Sequence, residues 1–179
     1  MMKVLESLSR NIARTLKKNN PDSEVDIEVL EYGIAMTINQ YGVILITITI
    51  GAIFGQLMES VLAFVGLATI RSFSGGIHFS SLTVCMIMTS LFCVIVPVIP
   101  LSKTAVVIVT MISMLIFLLR APNWFEEIAV HKNGTIYKCL AVFIVSINLV
   151  VQSTILAIVF FVQALTILPK GGVKDEKED

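Results

Sequence analysis

One histidine and one cysteine stand seven residues apart in the stretch RSFSGGIHFSSLTVC, residues 71–85. They are His78 and Cys85, and they follow the Gly75-Gly76 pair at the mouth of a long apolar run. A reactive thiol needs a base to hold it as thiolate, and a neighbouring imidazole is the usual one. Attack of the Cys85 sulfur on a peptide carbonyl would form an acyl-enzyme thioester. His78 would take the thiol proton and return it to the leaving amine.

Geometry restricts this chemistry. On an unbroken helix, residues seven apart share a face but lie ~10.5 Å apart along the axis. A working hydrogen bond spans only about 2.6–3.2 Å. The pair can act together only if the backbone breaks between them. Gly75-Gly76 permits positive φ, and Ser80 or Ser81 can cap the helix that follows. Cys85 would then fall about one turn into that helix, where the dipole and free N–H groups favour a thiolate and a developing oxyanion. A third residue orienting His78 is expected by triad logic. Glu31, Asn39, Gln40 and Ser80 are the polar candidates, and spacing singles out none of them.

Blander readings compete. A cysteine on an apolar helix is commonly a small hydrophobe, and a histidine beside Gly-Gly is commonly a loop residue. Cys93 and Cys139 have no neighbouring histidine and read as packing residues; His131, near Asn133-Gly134, reads as a turn residue. Glu126-Glu127 reads as a solvated surface pair. No HExxH, GxSxG, phosphate loop or paired cysteines at metal spacing occur, so no metal or cofactor is expected.

These residues sit in a chain built for lipid. Of 179 residues, 56% are hydrophobic and 15% charged, and mean hydropathy is +0.89. Soluble domains run at about 45–50% apolar and about 25% charged. An all-α polytopic membrane protein is expected, with one membrane domain over residues 21–168. The net charge is zero, which gives no case for nucleic-acid binding. Three cysteines in or beside apolar runs argue against a disulfide framework. The polar start lacks the apolar core of a cleavable signal peptide.

Residues 3–19 carry Val4, Leu5, Leu8, Ile12 and Leu16 at helical spacing, with Lys3, Arg10, Arg14, Lys17 and Lys18 between them. This pattern predicts a basic amphipathic helix on an anionic leaflet over residues 1–20, broken by Pro21-Asp22. Residues 26–42 are half polar and read as helix. The apolar run 41–70 is too long for one simple crossing, so a hairpin around Glu59 is expected, its second limb at 60–70 short. Residues 81–101 form a span ended by Pro97 and Pro100, and 104–119 another. The run 139–168 predicts two short spans turning near Gln152, with Asn148 and Ser153 also central. The charged tail 169–179 reads as disordered.

Six crossings with a cytoplasmic N-terminus put every Lys and Arg inside except Lys103, twelve of thirteen. A four-crossing arrangement scatters them. The positive-inside rule therefore favours six crossings, both termini cytoplasmic, and His78 and Cys85 at the cytoplasmic face.

The pattern Arg-x-x-x-Gly-Gly-x-His-x6-Cys, carried by Arg71, Gly75, Gly76, His78 and Cys85, resembles the accessory gene regulator B (AgrB-like) family. Glu31-Tyr32-Gly33 and Ala121-Pro122 support the likeness, which covers nearly the whole chain in layout. The resemblance implies a membrane cysteine endopeptidase of Gram-positive quorum sensing. Such a protein removes the C-terminal tail of a short AgrD-like propeptide, and a thiol or hydroxyl of the propeptide then displaces the enzyme to close a thiolactone or lactone. It implies Cys85 as nucleophile and His78 as base. Gly75 and Gly76 would form the turn, with Arg71 the basic residue before it; apart from the resemblance, Ser80 reads from its place in the sequence as a turn-forming or substrate-binding residue. The stretch Asn123-Trp124-Phe125-Glu126-Glu127 departs from the longer basic, proline-containing loop common in that family. This bears on how the loop meets substrate.

Two other functions fit the layout: a non-enzymatic small transporter or peptide exporter, and a scaffold using its basic N-terminal helix. A transporter should carry ionisable residues along a path, and the apolar runs hold only Glu59. The expected partners are the propeptide, the lipid bilayer and a second copy in a homodimer.

Overall fold

Helix ends, more than helix interiors, organise this chain. The computed structural model describes residues 4–20, 25–76, 81–123 and 134–168. Among them run seven α-helices: α1 Val4–Asn19, α2 Ile27–Ile53, α3 Leu57–Ser74, α4 Leu82–Ile95, α5 Lys103–Arg120, α6 Gly134–Val151 and α7 Thr154–Thr166. The Pro21-Asp22 break, Glu126-Glu127, His131 and the tail 169–179 lie outside the described residues.

Four helices, α2, α3, α5 and α6, are long and apolar enough to cross a membrane, whereas α4 and α7 are shorter. The half-polar segment and the apolar run after it join into one helix, α2. Its 27 residues extend ~40 Å at 1.5 Å per residue. The turn predicted around Glu59 falls earlier, because the stop signal is Gly55 at φ +69. Gly55 N–H donates to the Ala52 carbonyl and Gln56 N–H to the Gly51 carbonyl. This pair of bonds closes a helix whose next residue must be left-handed. Glu59 thus lies in the first turn of α3, where an acid suits the dipole. The second limb gains length at both ends over the expected 60–70.

The predicted turn near Gln152 is present. Gln152 sits at φ 54, and the Asn148 side chain pins the turn. Asn148 Oδ1 accepts from Ser153 N–H at 3.0 Å, and Nδ2 donates to the Ser153 carbonyl at 3.2 Å and to Thr110 Oγ1 at 3.0 Å. Ser153 and Ser102 cap α7 and α5 by accepting from Leu156 N–H and Ala105 N–H. A 3-10 turn, Val96–Val98, containing Pro97 ends α4.

The chain divides into two compact units, one of Met1–Val65 with His78–Ile99, the other of Gly66–Ile77 with Pro100–Asp179. In the first, α2 packs against α1 and α4; in the second, α5 packs against α6 and α7. Buried positions recur at helical spacing and are mostly small or weakly polar: Ala35, Val43, Thr47 and Gly51 on α2, and Val106, Thr110, Ser113 and Phe117 on α5. Large residues such as Leu45, Ile108, Leu115 and Val150 are exposed. Small residues inside and large apolar residues outside is how helices associate when lipid, not water, surrounds them.

Candidate functional site

Of the residues between His78 and Cys85, Ser81 is extended and α4 begins only after it. Helix α3 stops at Ser74, Gly75 and Gly76 take φ +68 and +134, and α4 begins only at Leu82. His78 and Ser80 fall within 77–80, outside the described residues. Their relation to Cys85 is therefore carried by chain connectivity alone.

Cys85 belongs to the first unit. Ser81, in extended conformation, is the N-cap residue of α4, and Cys85 N–H donates to its carbonyl at 3.0 Å. Cys85 is thus the first residue of α4 whose amide is held within the helix, one turn in. It is 6% exposed and unbridged. Cys93, two turns deeper, is fully buried, and Cys139 is exposed.

Ser81 supplies no side-chain cap to its own helix. A carboxylate 76 residues earlier in the chain does so instead. Glu6 Oε1 accepts from Leu82 N–H at 2.9 Å, and Oε2 accepts from the Thr83 hydroxyl at 3.2 Å. Thr83 Oγ1 in turn accepts from Leu5 N–H at 3.1 Å. The N-termini of α1 and α4 therefore satisfy one another's orphan donors, with one negative charge between two positive dipole ends. Burial alone would raise the Glu6 carboxyl. Hydrogen bonds from its own N–H, from Leu82 N–H and from the Ser81 and Thr83 hydroxyls outweigh that and hold it below its ordinary value of 4.5. One of the N-terminal donors expected to be free for an oxyanion is thus already taken.

The diglycine belongs to the second unit, where two segments fix it. Gly75 bridges to Asn123: Asn123 N–H donates to the Ser74 carbonyl at 2.9 Å, and Gly76 N–H to the Asn123 carbonyl at 3.0 Å. Asn123 Nδ2 reaches the Ile167 carbonyl at 3.0 Å. From α7, Gln163 Nε2 donates to Ser74 Oγ at 3.0 Å and to the Gly75 carbonyl at 2.6 Å. Two stretches picked out separately in the sequence, Gly75-Gly76 and the residue after Ala121-Pro122, meet here. Arg71 lies in the last turn of α3, where a cation complements the carbonyl end.

Among the candidates for a third group, Glu31 pairs with Arg10 at 3.1 Å, Gln40 is exposed, and Asn39 is half-buried with Oδ1 unpartnered. Sequence reading overlooked Glu6, Asn123 as an anchor, and Gln163. A glutamine in the middle of IVFFVQALTIL was a usable signal, since polar side chains at membrane depth are costly unless paired. An acid in a helix otherwise rich in Lys and Arg was a weaker one. No group of acids, histidines or cysteines able to hold a metal occurs among the described residues.

Among the described residues, the helices, four of them long and apolar enough to cross a membrane, and a glycine turn anchored by Asn123 and Gln163 fit a helical membrane protein. Residues 9–169 match the family model described as accessory gene regulator B, and the chain belongs to that family. Membership associates it with propeptide processing in agr quorum sensing. Neither curated proteins nor solved structures return a match.

Proposed function

We propose that the chain is a membrane-embedded cysteine endopeptidase that cuts the C-terminal tail from an AgrD-like propeptide and promotes its cyclisation. The supporting observation is the broken backbone: α3 ends before Gly75, and Cys85 starts one turn into a separate helix. An unbroken helix would impose an axial separation of ~10.5 Å, and that restriction does not hold here; the reading requires that His78 come to the α4 entrance. The Cys85 thiol loses its proton to His78, and the sulfur attacks the scissile carbonyl. The C–N bond breaks, and the departing amine takes the proton back from His78. The propeptide's own thiol or hydroxyl then attacks the thioester, closing the ring and releasing the Cys85 sulfur.

The layout proposed with this function has six crossings, α2 to α7, with both termini in the cytoplasm. The short α4 and α7 cross by local thinning or by shielding from their neighbours. Helix α1 lies in the inner leaflet surface. Its Leu5, Ser9 and Ala13 are buried while Leu8, Ile12 and Leu16 stay exposed, which leaves an apolar stripe for lipid beside a basic face. A propeptide confined to the same leaflet is concentrated near the site, and limited water favours ring closure over hydrolysis.

The test is cleavage of a co-expressed AgrD-like propeptide in membranes. Cys85→Ala and His78→Ala are each expected to abolish it while leaving normal amounts of the protein in the membrane. Cleavage by the Cys85→Ala protein would sink the mechanism.

A further inference from the structure

We propose that Glu6, on the N-terminal helix, is a positioning residue for Cys85. This rests on the peptidase reading for its functional consequence, though not for its geometry. The first turn of α4 is short of acceptors. Its N-cap, Ser81, offers none from its side chain, and Leu82 N–H is satisfied by Glu6 Oε1 at 2.9 Å. The same carboxylate holds the Thr83 hydroxyl, which receives Leu5 N–H from α1. Ser81, Leu82 and Thr83 open the turn that closes with the Cys85 amide on the Ser81 carbonyl. An uncapped first turn frays, and Cys85 is its last residue. Glu6 acts through this turn.

Two consequences of opposite sign follow if the join is lost. Cys85 is now 6% exposed, so fraying makes its sulfur more accessible to a reagent. It also makes the sulfur less well aimed at a substrate carbonyl, and misplacement by ~1 Å costs on the order of a hundredfold in rate. Cys93, deeper in the same helix and fully buried, reports whether the loosening is local.

The experiment uses the full chain in membranes with Cys139→Ser, so that N-ethylmaleimide reports on Cys85 and Cys93 alone. Glu6→Ala is expected to speed Cys85 alkylation at least about threefold, leave Cys93 protected, and slow propeptide cleavage roughly ten- to hundredfold, mainly in kcat. Glu6→Gln, whose amide oxygen can still accept from Leu82 N–H, is expected to stay within about threefold of the parent in both readouts. Thr83→Val, which breaks the join from the α4 side, should reproduce the selective Cys85 change, and it serves if Glu6→Ala does not accumulate. The proposal is overturned if Glu6→Ala matches the parent in both readouts, if Cys93 reacts in step with Cys85, or if Glu6→Gln is as damaged as Glu6→Ala. If the parent cleaves no AgrD-like propeptide, the peptidase reading fails on its own, and the alkylation contrast still decides the role of Glu6.

Discussion

Gln163 donates its side-chain amide to the Gly75 carbonyl at 2.6 Å, across 88 residues of sequence. The bond joins α7 to the turn that ends α3. Its partner groups are buried, and Gln163 itself is 1% exposed. A carbonyl at the end of a helix has lost its intrahelical donor, and in an apolar setting it must find another or carry the full desolvation penalty. Gln163 supplies the shorter of two such bonds, the Ser74 hydroxyl giving the other at 3.2 Å, and it donates to Ser74 Oγ as well.

Replacing Gln163 with Leu keeps the volume and removes both donors. The Gly75 carbonyl then keeps only the Ser74 hydroxyl, at 3.2 Å, and loses its shorter bond, at a cost of about 0.5–1.5 kcal/mol. Thermal unfolding of the purified protein in detergent should show a lowered midpoint, and propeptide cleavage should fall because the turn leading to His78 is less fixed. Unchanged stability and cleavage would mean that the Asn123 contacts alone suffice to anchor it.

Gly76 is a second point of strain if altered. Its φ of +134 lies where L side chains rarely go, and an added Cβ would stand 2.8 Å from Thr166 Oγ1 and 3.0 Å from Gln163 Nε2. Gly76→Ala therefore meets both a backbone penalty of about 1–3 kcal/mol and a collision with the side chain that anchors the turn. It should be more damaging than Gly55→Ala, whose φ is also positive but whose Cβ would meet nothing within 4 Å. Comparing the two variants in one unfolding assay separates the collision from the strain.

How much of this was legible beforehand depended on the range of the interaction. The backbone break before Cys85, the turn at Gln152 and the stop at Pro97 are local: a Gly-Gly pair, a cluster of polar residues and a proline each act on their own neighbours. The site of the first hairpin turn was read late because Glu59 looked like the interfacial marker, whereas Gly55 carries the left-handed backbone. The anchors came out least well. Glu6 meets Leu82, and Gln163 meets Gly75, only after tertiary packing, and no spacing in the sequence encodes either pairing. Charge and polarity out of place were the only local trace each one left.

Asn148 offers a test of the second unit by itself. Its side chain makes three hydrogen bonds, two to Ser153 and one to Thr110, and so holds both the α6–α7 turn and the packing of α5. Asn148→Leu should lower stability by about 0.6–2 kcal/mol, the span found for side-chain hydrogen bonds between membrane helices. The thermal midpoint reads this directly. A midpoint equal to the parent's would mean that Ser153 capping and helix packing hold the turn without it.

The Glu6 join should also show in the pH dependence of stability. Its carboxyl is held below the ordinary 4.5 by donors on α1 and α4, despite the opposing effect of burial. A group whose folded pKa is depressed binds its proton more readily in the unfolded chain. Its stabilising contribution is therefore present in full above about pH 4.5 and is lost as pH falls through the lower folded value. Other carboxylates titrate in the same window, so the informative quantity is a difference. The stability advantage of the parent over Glu6→Gln should be constant from pH 7 down to about 5 and should shrink below that, because protonation makes the glutamic acid resemble the amide. Chemical unfolding of both proteins at a series of pH values measures it. A difference that stays flat down to pH 3, or grows, would show that the carboxylate draws nothing from the two helix ends it joins.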